Sequence, residues 1–280
     1  MAIVFQNIDK DIVSAFKIKG SDDYEGLFVD WIPTCDHSRA EELLQQTEIV
    51  NKYVKDKKPI IVFDRYRSIT RKEYRYLGNR TLFWEPSIIP RNGFGYQPCW
   101  LPIINIKNPP FIEVNGRTYD LGFSGSLNNK FKSFSKYYET IKGIMDLQIG
   151  INASDIKELK IDELRNNDID VGDYGIDQFK TIVLIGKPID YICGYLDPIF
   201  IDCIKNGVMP LLPSEHRFYY AMFDGLVLKS EINDLKFNIQ MADNISFGMI
   251  HGLLENIEKF FPEMLVSSIT DRVIKHFISI

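Results

Sequence analysis

The chain has 280 residues, 45% of them hydrophobic and 13% aromatic, enough to bury one large core or two of about 100 to 150 residues each. A charged fraction of 25%, with no Gly/Ser, Pro or Gln tract, excludes a largely disordered chain, and a net charge of -5 argues against indiscriminate binding of nucleic acid. The start "MAIVFQNIDK" lacks the basic and apolar regions of a secretory signal, and no run approaches the ~18 apolar residues of a membrane span, so a soluble cytoplasmic protein without membrane association is expected.

In chain order, "AIVF", "GLFVDWI", "PIIVFD" and "TLFWEP" predict buried strands. Between the second and third, "SRAEELLQQTEIVNKYVKD" predicts a helix with Ser38 as N-cap, Glu41 three residues later, and Leu44, Ile49 and Val50 near helical spacing. Between the third and fourth, "DRYRSITRKEYRYLGNR" (64–80) holds six Arg/Lys and three Tyr against two acids, about +4 inside an acidic chain. A helix from Ser68 to Leu77 would put Arg67, Arg71 and Arg75 in one row. Such a row suits a phosphate backbone, although solvated helices also carry Arg and Lys freely.

"SIIPRNGFGYQPCWLPIINIKNPP" has five prolines and no helical period, so it reads as a loop and as the domain boundary. Its Arg91, Phe94, Tyr96 and Trp100 could stack on bases. A second α/β series follows: strand "RTYDLGFSG", a helix within "NNKFKSFSKYYETIKGI", strand "DLQIGIN", an acidic loop, strand "KTIVLIG", helix "DPIFIDCIKN", and strands "GVMPLLP" and "GLVLKS". Strands alternating with helices predict two Rossmann-like α/β domains facing a cleft, with function in the loops at the carboxyl ends of the strands. The expected division is 1–103 for a first α/β domain, 104–110 for a linker, 111–250 for a second α/β domain, and 251–280 for C-terminal helices that pack back on the first domain.

Several strand ends carry polar candidates. Asp64 and Arg65 follow the third strand, Asp36 and His37 follow the second, and Glu85 follows the fourth; Asp64, Asp36 and His37 are the candidates for acid/base work. Asp36 could equally cap the helix it precedes. In the second series, Gly122, Ser124, Gly125 and Ser126 stand between a strand and a helix, where free N–H groups and the helix dipole favour a diphosphate, though a tight turn would need the same residues. Asp168 and Asp170 form a DxD that reads as a solvated acidic loop, so no metal is expected. Cys35, Cys99, Cys193 and Cys203 lack metal-ligand spacing and read as small buried residues.

The sharpest signal is "GYLDPIFIDCIKNGVMPLLP" (194–213): Asp197 as cap, Pro198 in the first turn, an apolar helix interrupted by Asp202, Gly207 as terminator and a strand beyond. An acid on so apolar a helix needs a partner, structural or ligand. With Asp202, Gly207 and Pro210 at matching spacing, this stretch resembles the donor-binding signature of GT-B glycosyltransferases. The resemblance implies a UDP-sugar donor and no required cofactor. It implies that Asp202 holds the ribose hydroxyls, that Gly125 and Ser126 meet the diphosphate, and that Lys187 or Arg217 offsets its charge; Tyr195 joins this donor-binding set.

The short chain and basic first half resemble the phage enzymes that glycosylate 5-hydroxymethylcytosine in DNA, which would place the protein in the host cytoplasm. That resemblance implies an acceptor site of Arg65, Arg67, Arg71, Arg75 and Tyr96. A bacterial glycan glycosyltransferase, a metal-dependent enzyme of the other main glycosyltransferase fold, and a nucleotide-sugar-binding protein without turnover are the rival readings.

Overall fold

The structure, a computed structural model, describes residues 3–8, 10, 13–14, 24–34, 39–87, 89, 91, 95–98, 116–123, 134–139, 147–152, 169–172, 174–195, 197–223, 226–260 and 266–278. The chain divides into two compact units, Met1–Asn105 with Ile257–Ile280, and Ile106–Asn256.

The first unit holds a five-stranded sheet in the order β1-β2-β3-β4-β5: β1 (Ile3–Gln6), β2 (Gly26–Asp30), β3 (Ile60–Phe63), β4 (Thr81–Glu85) and β5 (Gln97–Pro98). Every pair is parallel, with Phe28 opposite Ile61 and Ile61 opposite Leu82. Spatial order equal to chain order means that the sheet is wound in one direction. Right-handed crossovers then deliver α1 (Ala40–Lys55) and α2 (Arg71–Leu77) to the same face. That face packs Leu27, Val29, Ile60, Val62 and Phe83 against Val50 and Tyr53 of α1 and Leu77 of α2.

The alternating residues Ile3, Phe28, Ile61, Phe63 and Trp84 point the other way, with Phe5, Ile8, Tyr24 and Leu82 packed against them. The C-terminal helix α7 (Val266–Ile278) joins this cluster with Val273 and Phe277. Gly26 is what lets Phe277 in: a Cβ built on it would sit 2.5 Å from the Phe277 ring.

The α1 helix begins at Ala40 after Arg39, without a side-chain cap; Ser38 lies outside the described residues. Its buried face departs from the simple apolar period. Leu44 is exposed, whereas Gln46 is buried and pairs with the Ile32 backbone, accepting from its N–H at 2.9 Å and donating to its carbonyl at 3.1 Å. The basic segment also differs from expectation. Thr70, not Ser68, caps α2, in a capping box with Glu73 (3.3 Å and 2.7 Å). Arg67 precedes the helix with φ of 54°, so the expected row of three arginines is reduced to Arg71 and Arg75.

The second unit holds a six-stranded sheet, order β11-β10-β9-β6-β7-β8: β6 (Tyr119–Phe123), β7 (Ile149–Asn152), β8 (Ile169–Gly172), β9 (Phe179–Val183), β10 (Met209–Leu212) and β11 (Leu228–Lys229). All of its pairs are parallel too. Here the chain moves outward from β6 to β8 and then returns to the other side of β6, so the order reverses between β6 and β9. Its helices include a helical stretch at 134–139, α3 (Pro188–Cys193), α4 (Pro198–Lys205), α5 (Arg217–Met222) and α6 (Ile232–Phe260), the last carrying the chain back to the first unit.

The expected acidic loop around Asp168 and Asp170 is corrected in part. Ile169 and Val171 alternate inward in β8, and Asp170 on its exposed side accepts a hydrogen bond from the Tyr119 hydroxyl. Asp168 lies outside the described residues. Likewise, the segment expected to be loop contributes β5 to the first sheet. No helix among the described residues is long and apolar enough to cross a membrane.

Gly26→Ala should lower stability by about 1–3 kcal/mol in urea unfolding, because the new methyl group overpacks against Phe277. Adding Phe277→Leu should recover part of that loss. On the same helix, burial pushes the His276 imidazole below its usual 6.5, with the Ile60 and Arg80 backbone opposing the shift. A depressed folded pKa means that the unfolded chain binds the proton more readily, so this contribution is present above about 6.5 and lost as pH falls. Thermal melts should show a downward limb below pH ~6.5 that His276→Gln flattens.

Candidate functional site

Because every strand in the first sheet is parallel, β2, β3 and β4 deliver their carboxyl ends to one edge. Each leads into an acid at that edge: Asp30 and Glu85 end β2 and β4, and Asp64 directly follows β3. Three guanidinium groups meet them. Arg91 donates to the Asp64 carboxylate through Nη2 and to Glu85 through Nε (2.7 Å), and its backbone N–H reaches Glu85 Oε1 at 2.9 Å. Arg67 Nε lies 3.6 Å from Glu85 Oε1. Arg65 donates to Asp30 Oδ2 through Nε at 3.1 Å and also through Nη2.

Asp64 is wholly buried and accepts from five donors: Ser68 N–H (2.7 Å), Ser68 Oγ (3.1 Å), Ile69 N–H (3.1 Å), Arg91 and Tyr96 Oη (3.2 Å). Two oxygens accepting that many bonds have little lone-pair capacity left for an acceptor hydroxyl. The arrangement ties the loop after β3 to the segment before β5. Burial works against the Arg91 charge, but the neighbouring Asp64 and Glu85 more than compensate and hold its pKa above the ordinary value. Arg91 also lies 4.1 Å over the Tyr96 ring, which is itself buried and packs 5.3 Å from Phe83. Tyr96, expected to stack on bases, is thus a core ring. Burial first, then the Asp64 charge, raises its hydroxyl far above its usual pKa, so it remains a neutral donor.

Asp30 differs from the other two acids. Both hydrogen bonds from Arg65 fall on Oδ2, and among the described residues Oδ1 accepts none. Burial raises its pKa above 3.8, and Arg65, which pulls the other way, does not cancel the shift. Asp30 ends "GLFVD" just as Asp64 follows "PIIVF", so the strand-end rule that picked Asp64 could have found it. Arg91, expected to stack on bases, instead pairs with Asp64 and Glu85, a role that its proline-rich stretch does not signal. Asp36 and His37 lie outside the described residues, whereas Arg71 and Arg75 are exposed on α2.

In the second unit the reversal between β6 and β9 marks where parallel sheets open a crevice at their carboxyl ends. Phe123, the last residue of β6, is in register with Val183 of β9. The loop after β9 is clamped in place. The Gly186 N–H donates to Tyr191 Oη (2.9 Å), the Lys187 N–H donates to the buried Asp190 (2.7 Å), and the His216 Nε2 lies 2.9 Å from the Leu184 carbonyl oxygen.

His216 stands edge-on to Tyr191 and Tyr219. Tyr219 donates to the Tyr195 carbonyl (3.1 Å) and accepts from the Asp197 N–H (2.9 Å), joining α5 to the start of α4. The Lys187 and Arg217 side chains, both exposed, therefore flank neighbouring strand ends. Tyr195 is buried. Gly125 and Ser126 lie outside the described residues.

The signature segment folds locally as its sequence dictates. Asp197 Oδ1 accepts from the Ile199 N–H at 3.1 Å, Pro198 occupies the first turn, and Gly207 takes φ of 63°, the left-handed conformation that glycine adopts without strain. Phe200, Ile201, Cys203 and Ile204 are buried, and Asp202 is half-buried. Arg117, which the sequence reading passed over, donates to the carbonyls of Phe179 (2.7 Å), Asn206 (3.0 Å) and Gly207 (3.1 Å), a cation seated at the C-terminal end of α4.

No protein-family model matches the chain, and no curated protein matches it. Among solved structures, the DNA-modifying enzyme beta-glucosyltransferase, described with and without uridine diphosphoglucose as substrate, is similar over 99% of this chain and 98% of its own, with a TM-score of 0.56 at 12% identity. TarM is similar over 95% of this chain and 58% of its own, with a TM-score of 0.50 at 12% identity. The likeness shows the fold: a mixed α/β chain with parallel sheets, of the GT-B class that the sequence suggested.

Asp64→Ala should destabilise the protein by about 3–5 kcal/mol in chemical denaturation, because it strands the buried Arg91 charge and several donors. Arg75→Ala, on the exposed face of α2, should change stability by no more than about 0.5 kcal/mol.

Proposed function

We propose that the chain is a glycosyltransferase that moves a pentose or hexose from a UDP-sugar to a hydroxyl acceptor, the acceptor being 5-hydroxymethylcytosine in phage DNA. The observation that carries this reading is the 197–212 segment. Its cap, apolar helix with one acid, glycine stop and strand stand beside the reversal of a parallel sheet, in a fold shared along its whole length with a DNA-modifying beta-glucosyltransferase. The unit containing Asp202, Lys187, Tyr195 and Arg217, with Gly125 and Ser126, takes the donor. The unit containing the basic helix takes the acceptor.

The chemistry is a displacement at the anomeric carbon. A base removes the acceptor hydroxyl proton, the new C–O bond forms, and the bond to the diphosphate breaks. UDP departs with its charge offset by Lys187 and Arg217. Asp64 and Glu85, engaged by arginines and fully buried, suit a structural role. Asp30, with its open oxygen, is the stronger candidate for the base, and Asp36 and His37 follow it in the same strand-end segment. Arg65 then orients Asp30 rather than gripping phosphate.

Mass spectrometry of nucleosides from 5-hydroxymethylcytosine duplex DNA, incubated with the protein and mixed UDP-sugars, should show a pentose or hexose added to the modified cytidine. Donor binding without that product would move the acceptor to a glycan or small molecule; absence of donor binding would end the glycosyltransferase reading.

Asp202→Ala should weaken UDP-sugar binding about tenfold in calorimetry, the worth of one hydrogen bond to a charged group. Asp30→Asn should lower kcat by about 10²-fold or more while donor affinity stays unchanged. The base works deprotonated, so the wild-type rate should rise with pH through a pKa displaced upward from 3.8, and the substitution should remove that limb.

A further inference from the structure

Once Arg65, Arg67 and Arg91 are paired with strand-end acids, the positive charge of the first unit is differently distributed from what its sequence suggests. Residues 48–80 contain ten Lys and Arg against four acids, in a chain of net charge -5. Two of the ten, Arg65 and Arg67, face Asp30 and Glu85, and Lys58 pairs with Glu25. Lys52 follows Glu48 by one turn of α1, the spacing at which opposite charges offset each other on a helix, and the two are set aside together.

Six remain: Lys55, Lys57, Arg71, Lys72, Arg75 and Arg80. All are exposed, and none forms an ion pair among the described residues.

These six belong to one surface because α1 and α2 are joined side by side. The Tyr76 hydroxyl donates to Asn51 Oδ1 on α1, and Arg80 Nη1 donates to the Lys57 carbonyl at 2.9 Å. Of the four acids in 48–80, Asp56 and Glu73 remain to oppose them, and Glu73 Oε2 accepts the Thr70 N–H in the capping box.

The surface also runs away from the strand-end cluster. Lys57 lies three residues before β3 and Arg80 directly precedes β4, so they stand at the amino edge of the sheet, about 13 Å of strand from the carboxyl edge. Cations on this edge cannot be explained as partners of Asp30, Asp64 or Glu85.

We propose that this face is a docking surface for the phosphate backbone of duplex DNA, separate from the strand-end residues that carry the chemistry. The proposal rests on the DNA-acceptor reading and relocates its electrostatic grip: Arg71 and Arg75 remain in it, Arg65, Arg67 and Tyr96 leave it, and Lys55, Lys57, Lys72 and Arg80 enter. A duplex presents one negative charge per ~1.7 Å of axis, and each neutralised phosphate releases counterions, so the grip is sequence-independent and strongly salt-dependent. Such a surface raises affinity for long DNA without altering turnover of a single nucleoside.

The test is fluorescence anisotropy of a hydroxymethylated duplex across a salt series, using the full chain and the variant Lys55→Glu/Lys57→Glu/Arg80→Glu. Loss of three phosphate contacts should lower the slope of log K against log salt by about 2.7, at ~0.9 per contact, and weaken binding at least tenfold at low salt. Donor affinity should stay at the wild-type value, and Lys55→Arg/Lys57→Arg should retain wild-type duplex binding.

A charge-reversed variant with wild-type affinity and slope overturns the docking surface, and if that variant and the wild type both glycosylate the duplex, the DNA-acceptor reading survives without it. A wild-type protein that binds no duplex at low salt overturns both, leaving the UDP-sugar assignment to be judged by donor binding.

Discussion

Every ladder described in both sheets is parallel, and the placement of charge follows from that constraint. Parallel strands present all their carboxyl ends at one edge. Acids at the ends of three neighbouring strands, Asp30, Asp64 and Glu85, are thereby forced into proximity in a partly dehydrated place. Like charges so close are tolerable only with cations among them. Arg65, Arg67 and Arg91 supply those, and the loops carrying them become ordered parts of the strand-end surface.

The same constraint explains the division of labour among the carboxylates. Asp64 and Glu85 share Arg91 and are enclosed on all sides, which makes them good anchors and poor proton acceptors. Among the described residues Asp30 accepts hydrogen bonds from Arg65 on one oxygen, and burial lifts its pKa. An acid held this way keeps an accepting lone pair together with the basicity a proton transfer requires.

The two sheets solve the covering problem differently. The first is wound one way, and on its second face Val273 and Phe277 of α7 reach Phe28, Ile61 and Trp84, a contact that depends on the missing side chain at Gly26. The second reverses direction between β6 and β9, the place where open parallel sheets bind ligands beyond their carboxyl ends. His216, Tyr191 and Tyr219 brace the loops there through the Leu184 and Tyr195 carbonyls and the Gly186 and Asp197 amides.

Much of this was legible in the sequence because it depends on neighbours in the chain. The apolar runs ending in Phe63 and Glu85 are strands by composition. Asp197, Pro198 and Gly207 cap, start and stop α4 through contacts within a few residues. Other features depended on packing that no local pattern encodes. Ile169 and Val171 form a strand despite acidic surroundings because the edge of β7 offers partners. Gln46 replaces Leu44 inside because the Ile32 backbone needs a donor and an acceptor there. Sequence by itself determined the strand–helix alternation, the strand-end acids and the donor-like segment, since short-range sterics and hydrogen bonding decide those. Only the tertiary structure decided which arginines are paired and which face solvent, because ion pairing between Arg91 and Asp64, 27 residues apart, is set by where parallel strands end.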